Sequence, residues 1–370
     1  MFAAIDLTKL SNISVPERAC LSLYLAHPTS LQALDKRIDR ACQTLKRDGA
    51  EKSEREHFDE NVQMVQKYLK QNPFESGSLA IFSCWILDVF EVYPLTTPVD
   101  DLLWVDSSPY IRPLAELQDE YEDVAVVVAD NKKARIFLVS SAVAESENVI
   151  TGNVKNHVKK GGWSQQRYER RRDKQLLLYA REIAEALKEL DRTEAFRRIL
   201  LVGSKEILRI LFENLPGPLQ NKARQKAIDL SKGEGTLNRD IMDLFQEQER
   251  QSEQVLWERI RTEVLREGLG IVGLDSVADA AQAGQIDTLI VDRHFKPTGQ
   301  RCRDCENLQR KVQETCSQCG STSLFEVDMV NELVEWVKQS GGDVDFTDPI
   351  DTLTQAGQIA ALIRYKPVKS

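Results

Sequence analysis

The sequence predicts an α/β protein of three domains, and three observations lead to this prediction. The chain has 370 residues, more than one ordinary core accommodates, because a domain holds roughly 100–200 residues. Apolar runs typical of strands alternate with segments in which apolar residues recur at helical spacing. Four cysteines lie within residues 302–319 and suggest a small insertion in the last domain. We expect domains at residues 1–120, 121–235 and 236–370.

The first domain is predicted to hold a small sheet and a long helical stretch. Residues 19–25 form an apolar run typical of a strand, and a charged helical stretch follows at residues 31–69. The apolar run at residues 78–92, interrupted by Asp88, predicts a pair of strands. A turn-rich linker is expected next, because prolines recur there at Pro94, Pro98, Pro109 and Pro113.

The second and third domains repeat the alternation of strands and helices. Residues 123–129 and 135–139 predict a hairpin, and a long helix with apolar residues at spacings of three and four is expected from Ser164. A strand and helix follow at residues 199–202 and 205–214. Further predicted segments are the helices 236–266, 277–283 and 328–339 and the strands 288–291, 342–346 and 359–365.

Composition places the chain among globular proteins of the cytoplasm. The hydrophobic fraction is 42% and the charged fraction 29%, as in soluble domains. We find no run of about 18 apolar residues, and Asp6 interrupts the N-terminus where a signal peptide would be apolar. We therefore expect no membrane association. The net charge of −9 would weigh against nucleic acid, but the basic residues are concentrated locally.

One basic segment, residues 155–172, contains seven Lys or Arg residues and a single acid, Glu169. Such a segment can bind phosphates by releasing their counterions. Gly161 and Gly162 permit close backbone approach to a narrow crevice, Trp163 can stack on a base, and Ser164 can cap the following helix. The alternative is a solvated loop, which is what most charge runs are.

Residues 161–172 have the sequence Gly-Gly-Trp-Ser-Gln-Gln-Arg-Tyr-Glu-Arg-Arg-Arg. This segment resembles the catalytic loop of the archaeal and eukaryotic class-1 release factors, in which Gly-Gly-Gln-Ser precedes an arginine, an aromatic residue and further arginines. Residues 106–120, 124–139 and 357–365 also suit the superfamily that these factors form with Pelota. The resemblance implies the three-domain release factor and Pelota-like architecture over nearly the whole chain. The positions that match without a gap are Gly161, Gly162, Ser164, Arg167, Tyr168, Arg170 and Arg172.

The resemblance also implies a place of action. A protein of this kind occupies the A site of the ribosome, and its middle domain reaches the peptidyl-transferase centre. In the family a translational GTPase such as elongation factor Tu often delivers the factor, and the C-terminal domain is the docking surface. The residues that would then contact rRNA are Lys159, Lys160, Gly161, Gly162, Trp163, Ser164, Arg167, Arg170 and Arg171.

The chain departs from the family at the position that carries the chemistry. Hydrolytic members use the glutamine after the two glycines to orient water at the ester of peptidyl-tRNA, and this chain has Trp163 there. An indole has one N–H donor and no acceptor, so it cannot orient water in the same way. Two hypotheses stay open: a factor that does not hydrolyse peptidyl-tRNA, and a hydrolase that uses Gln165 or Gln166 instead.

The first domain lacks the Asn-Ile-Lys-Ser motif with which eukaryotic factors recognise stop codons, so stop-codon recognition is not expected. The family then leaves two roles, rescue of stalled ribosomes and occupation of the A site in idle ones. The general organisation of the chain resembles that of bacterial hibernation factors of the Balon type.

The cysteines Cys302, Cys305, Cys316 and Cys319 form two C-x2-C pairs separated by ten residues. Each pair can wrap a turn around one ion, and four thiolates complete a tetrahedral zinc site without an open position for water. We therefore expect a structural zinc ribbon in the third domain. Redox cycling of the pairs is the competing hypothesis, although two pairs so close together favour metal.

Overall fold

The computed structural model describes residues 5–95, 97–120, 124–130, 133–140, 143–151, 163–194, 196, 198–228 and 234–366. These residues form a mixed α/β fold with four sheets, which confirms the predicted class. They divide into two compact units, a larger one of residues 1–119 and 252–370 and a smaller one of residues 120–251. The first and last sequence segments share the larger unit, and the division into three domains stays a prediction.

The N-terminal segment of the larger unit is a four-stranded antiparallel sheet with helices. In sheet order, its strands are β3 (Val89–Leu95), β2 (Ser78–Cys84), β1 (Cys20–Leu25) and β4 (Leu102–Asp106). Its helices are α1 (Leu7–Ser11), α2 (Leu34–Arg47), α3 (Lys52–Gln71) and α4 (Arg112–Glu120), and Pro28–Ala33 and Trp85–Leu87 are 3-10 turns.

Two sequence expectations for this segment are corrected. The helical stretch 31–69 is broken because Gly49, at φ 68°, ends α2: the N–H of Ala50 donates to Leu45 O and that of Gly49 to Lys46 O, the pattern of a Schellman cap. The linker interpretation was wrong, since the passage holds β4 and α4. Pro113 is the second residue of α4, in the first turn, where a missing N–H costs little.

The C-terminal segment of the larger unit has a second sheet in the order β10-β16-β11-β15, in which only β11 and β15 are parallel. The strands are β10 (Gly270–Val272), β11 (Ile286–Asp292), β15 (Asp343–Thr347) and β16 (Ile359–Ile363). The helices are the end of α8 (Glu234–Leu265), α9 (Leu274–Gln282), α10 (Met329–Gln339) and α11 (Asp351–Gln355). One apolar core joins this segment to the N-terminal one, with Ile111 and Leu114 beside Val330 and Leu333.

Helix α10 joins the two segments of the larger unit through buried polar groups. The Asn331 side-chain oxygen accepts from the N–H groups of Ile111 at 2.8 Å and Arg112 at 3.1 Å. The Ser108 hydroxyl donates to Glu335 at 2.7 Å, and Arg112 donates to Asp328, the N-cap of α10, at 3.2 Å. These bonds satisfy polar groups that the shared core removes from water.

Between β11 and α10 lies a small antiparallel ribbon of β13 (Leu308–Gln309), β12 (Thr298–Cys302) and β14 (Leu324–Asp328). Its two cysteine turns have the same backbone pattern. The N–H of Glu306 donates to Cys302 O, and that of Gly320 donates to Cys316 O, both at 2.9 Å. Each turn then closes at a residue of positive φ, 59° for Glu306 and 76° for Gly320.

The smaller unit has a five-stranded sheet in the order β7-β6-β5-β8-β9. The hairpin of β5 (Val124–Ala129) and β6 (Lys133–Ser140) is confirmed, and β8 (Arg198–Gly203) runs parallel to β5. The sequence did not predict β7 (Val143–Thr151) or β9 (Ala223–Ala227). The helices are α5 (Trp163–Glu194), α6 (Lys205–Asn214), α7 (Gly217–Lys222) and the first part of α8. None of the helices in the described ranges is long and apolar enough to cross a membrane.

The larger unit buries three carboxyl groups close together, those of Asp106, Glu332 and Glu335. Burial raises the pKa of Glu332 to about 7 in spite of its ion pair with Arg301, and the charge of Asp106 raises the pKa further. Burial and the charge of Glu332 also raise the pKa of Glu335 well above its usual range. The folded chain therefore favours the protonated form of these groups.

This burial predicts a pH dependence of stability. A folded pKa above the unfolded one contributes stability that is full at low pH and is lost as pH rises through the folded value. With Glu332 at about 7, the free energy of unfolding should fall by roughly 1 kcal/mol between about pH 6 and 8. Urea unfolding at both pH values measures this. Glu332→Gln should flatten the slope and Glu326→Gln, at an exposed position, should not; equal slopes in all three proteins would contradict the prediction.

The two cysteine turns make a second prediction about stability. An L residue in the left-handed region costs roughly 1–2 kcal/mol, whereas glycine does not pay this cost. Gly320→Ala should therefore lower the free energy of unfolding by about 1 kcal/mol, although the added methyl group meets no atom within 4 Å. Glu306→Gly should raise it or leave it unchanged, because Glu306 is exposed. Thermal unfolding compares the two; changes of the same sign would show that the turns are not equivalent.

Candidate functional site

The predicted RNA-facing residues lie around the start of α5. Lys159, Lys160, Gly161 and Gly162 are outside the described residues. Trp163 is the first residue of α5 in the described structure, and Ser164, Gln165 and Gln166 follow in its first turn. The expectation that Ser164 caps the helix was wrong, because this serine lies inside it. Since the helix continues through Gln165 and Gln166, the backbone there has no freedom to form a loop.

Helix α5 has 32 residues. Its described contacts with the core begin several turns after its first residue. Among the side chains that the structure describes, the first buried one is Leu176, followed by Tyr179, Ala180 and Ile183. From Trp163 to Leu176 the helix rises roughly 20 Å at 1.5 Å per residue. The core of the smaller unit thus holds the helix by its later turns.

The arginines at the start of α5 fall on two sides of the helix. Arg167, Arg170 and Arg171 are spaced at i, i+3 and i+4, so their positions share one face. Arg172 lies on another side and forms a two-pronged ion pair with Glu206 of α6, with one of its bonds at 2.7 Å. Of these residues, Arg170 is exposed and Arg172 is partly buried. Arg172 therefore anchors α5 to α6.

The sequence concentrates positive charge at the start of α5. The first turn of α5 contains no acidic residue, and the N-terminal end of a helix carries a partial positive charge that favours acids over bases. Arg167, Arg170 and Arg171 add three further positive charges there. Such an end is suited to bind anions such as phosphate.

The second candidate site is the group of four cysteines in the ribbon. The sulfur atoms of Cys302, Cys305, Cys316 and Cys319 all lie within 4.8 Å of one another. Cys302 Sγ is 3.6 Å from Cys319 Sγ, and Cys305 Sγ is 3.5 Å from Cys316 Sγ, so the closest neighbours come from opposite turns. The structure thus brings together the four residues that the sequence predicted as ligands.

The donor set and its surroundings fit a metal ion. Four sulfur atoms at the corners of such a cluster match a tetrahedral tetrathiolate site. Backbone hydrogen bonds from Cys319 and Gln318 lower the pKa of Cys316 to about 6, which favours its thiolate, while desolvation and the neighbouring thiols raise the pKa of Cys305. The Asn307 side-chain amide donates to Cys316 Sγ at 3.8 Å. The site could therefore hold a metal such as zinc.

Sequence reasoning missed two residues that position these sites. Arg172 matched the family pattern, but its ion pair with Glu206 could not be inferred, since α5 and α6 are separated by a strand. Arg303 lies between the first two cysteines and contacts Glu54, 249 positions away. The only signal was an arginine inside a cysteine turn, where short polar residues are expected.

Comparison with known proteins finds similarity to release factors and to Pelota. Residues 109–250 match bacterial archaeo-eukaryotic release factor family 10. The chain is 26% identical over 288 residues to peptide chain release factor subunit 1 of Archaeoglobus fulgidus, covering 71% of this chain and 70% of the relative. It is 28% identical over 286 residues to the protein pelota homolog of Natronomonas pharaonis, covering 72% and 69%.

Among solved structures, ribosome-bound archaeal Pelota aligns with 75% of this chain and 72% of its own, at 16% identity and a TM-score of 0.41. The sequence matches extend over most of the chain and fall on release factors and Pelota alike. These similarities support an assignment to the superfamily that the archaeal and eukaryotic class-1 release factors form with Pelota.

Proposed function

We propose that this chain is a ribosome-binding translation factor that occupies the A site and directs its basic segment, residues 155–172, to the peptidyl-transferase centre. It acts in ribosome hibernation or rescue and does not recognise stop codons. The observation that carries the proposal is the kinship with peptide chain release factors and Pelota over about 70% of the chain. Both kinds of relative have their place of action at the ribosome.

The start of α5 supplies the physical means. Three arginine positions share one face at the positive end of a long helix, and the two glycines precede them directly in the sequence. Phosphates would neutralise this end, and binding there would release condensed counterions. We propose that Lys159, Lys160, Arg167, Arg170 and Arg171 contact rRNA phosphates, while Gly161, Gly162, Trp163 and Ser164 form the tip.

Trp163 is compatible with binding at the peptidyl-transferase centre but not with the hydrolysis of peptidyl-tRNA that a glutamine supports. An indole at the tip can stack on a base, but it supplies no acceptor to orient a water molecule. Gln165 and Gln166 lie in the first turn of α5, so the helix restricts where their amides can reach. We therefore propose a factor that occupies the peptidyl-transferase centre without cleaving peptidyl-tRNA. Release of labelled peptide from stalled ribosomes, abolished by Gln165→Ala with Gln166→Ala, would instead assign the hydrolase role.

We further propose that the ribbon binds a structural zinc ion and that a translational GTPase such as elongation factor Tu delivers the chain. The four sulfur atoms leave no coordination position for water, so the ion serves the fold and not a reaction. The hydrogen bonds within both cysteine turns support this role. The proposal of a GTPase partner rests on the similarity to the family alone.

Binding to ribosomes tests the first proposal. Replacing Arg167, Arg170 and Arg171 by glutamine should weaken co-sedimentation with ribosomes by roughly tenfold or more at moderate salt, because phosphates that the chain no longer neutralises keep their counterions. The slope of log affinity against log salt should also decrease by about one for each phosphate that is no longer neutralised. Quantitative sedimentation over a series of salt concentrations measures both.

The matched control lies on the same helix. Arg181, Lys188 and Arg192 of α5 are exposed, and their replacement by glutamine removes the same charge far from the helix start. This control should keep wild-type affinity and slope. If both triple variants lose affinity equally, binding depends on net charge and not on the helix start. If neither loses affinity, the proposed rRNA contacts are wrong.

Metal content tests the zinc proposal. The purified chain should contain one zinc ion, and cobalt substitution should give the absorption of a tetrahedral thiolate site. Cys305→Ser should reduce metal content and lower thermal stability, because the binding free energy of a structural ion is folding free energy. Cys42→Ser, a change outside the ribbon at a partly buried position, should leave metal content unchanged. Wild-type metal content in Cys305→Ser would contradict the proposed ligand set.

A further inference from the structure

The ribbon contacts the N-terminal segment of the larger unit through a buried arginine. Arg303 stands between Cys302 and Cys305 in the first cysteine turn. Its Nε donates to Glu54 Oε1 at 3.2 Å, and Glu54 lies in the first turn of α3. Little of either side chain meets solvent, with 9% of Arg303 and 1% of Glu54 exposed. An ion pair so far from water is screened little, and it depends closely on where its partners are held.

Glu54 is held firmly on its own side of this contact. Arg18 donates to it twice, from Nε at 3.1 Å and from Nη2 at 3.3 Å. The backbone N–H groups of Arg18 and Glu51 add bonds at 3.2 and 2.9 Å. The N-terminal segment thus presents a fixed carboxylate that can accept the Arg303 guanidinium in one place only.

An aromatic ring of the ribbon completes the contact. Phe325 belongs to β14, and its ring lies beneath both guanidinium groups, 5.4 Å from Arg18 Cζ and 5.2 Å from Arg303 Cζ. At these distances both cations interact with the face of the ring. The ring, the carboxylate and the two arginines therefore form one cluster, in which the ribbon contributes Phe325 and Arg303 and the N-terminal segment contributes Glu54 and Arg18.

The position of Arg303 depends on the cysteine turn. The N–H of Cys302 donates to Asn307 O, and the N–H of Arg303 donates to Ser323 O, both at 3.0 Å. The apolar core of the ribbon has only three fully buried members among the described residues, Phe325, Val327 and Met329. So small a core does not fold without an additional constraint, and an ion bound to four thiolates would supply it. Without that ion the turn would not hold Arg303 in place.

We infer that the ribbon is a metal-dependent latch, in which the bound ion fixes Arg303 and Arg303 docks the N-terminal segment through Glu54 and Phe325. This inference rests on the proposed metal site and goes beyond it, because it gives the ion an effect outside the ribbon. The buried Nη2 of Arg303 has no partner within the described ranges. The guanidinium is therefore held on the side that faces Glu54 and Phe325.

Hydrogen exchange on the full chain tests the latch, with the protein loaded with zinc and after treatment with a chelator. Removing zinc should accelerate amide exchange at least tenfold in the first turns of α3 as well as within the ribbon. Arg303→Gln, loaded with zinc, should reproduce the acceleration in α3 while metal content and exchange in the second cysteine turn stay as in the wild type. Phe325→Leu should also accelerate amide exchange in α3, but by a smaller factor.

Arg310→Gln is the matched control, since Arg310 is a ribbon arginine that pairs with Asp275 and Asp279 of the C-terminal segment. It should leave exchange in α3 unchanged. If the wild type binds zinc but α3 exchanges at the same rate with and without it, the latch is wrong and the metal site stands. If Arg303→Gln leaves α3 protected, the latch is also wrong. A chain that binds no zinc overturns both proposals, whatever its affinity for ribosomes.

Discussion

The larger unit depends on one constraint, that polar groups buried between the first and last parts of the chain must find partners there. Two sets of contacts meet it. Helix α10 offers Asn331, Glu335 and Asp328 to the backbone and side chains of residues 108–112, and the ribbon offers Arg303 to Glu54. Leaving any of these groups unpaired would cost the desolvation of that group. The two segments are therefore specified to meet in one arrangement.

The same constraint explains why the cluster of buried acids is tolerated. Arg301 and Arg112 pair with Glu332 and Asp328, but Asp106 and Glu335 add carboxyl groups that have no cation within hydrogen-bond reach among the described residues. Burial first, and then the negative charge of Glu332, raises the pKa of Glu335, and protonation relieves both costs. Because the pKa of Glu332 is raised to about 7, we expect the charge of this interior to change near neutral pH.

Much of the fold followed from periodicity and local signals. Helix α6 was predicted at its observed limits, and β5, β6, β11 and β16 were found within one or two residues, because long apolar or amphipathic runs leave few alternatives. The clustering of the four cysteines was also predicted, since the spacing of C-x2-C pairs can bring two thiolates to one ion by local geometry. These successes share one property: their cause lies within about twenty residues of sequence.

The missed predictions concern elements and side chains whose structure depends on residues far away in the sequence. Strand β4 was missed because prolines surround it, although pairing with β1 through Leu103 and Val105 gives it a place in the sheet. Strand β9 has an exposed, polar sequence and exists because β8 offers it an edge. The roles of Arg172 and Arg303 likewise come from acids on other elements. Local sequence patterns do not predict such ion pairs, because only the fold brings their members together.

The two candidate sites are held in place by different kinds of contact. In the ribbon, backbone hydrogen bonds within the two turns hold Cys302 and Cys316. The start of α5 is held from its far side, by Arg172 with Glu206 and by the core residues from Leu176 onward. Among the described side chains of α5 before Arg172, none lies in the core. Trp163 and the proposed rRNA contacts Arg167, Arg170 and Arg171 thus precede these anchoring contacts along α5.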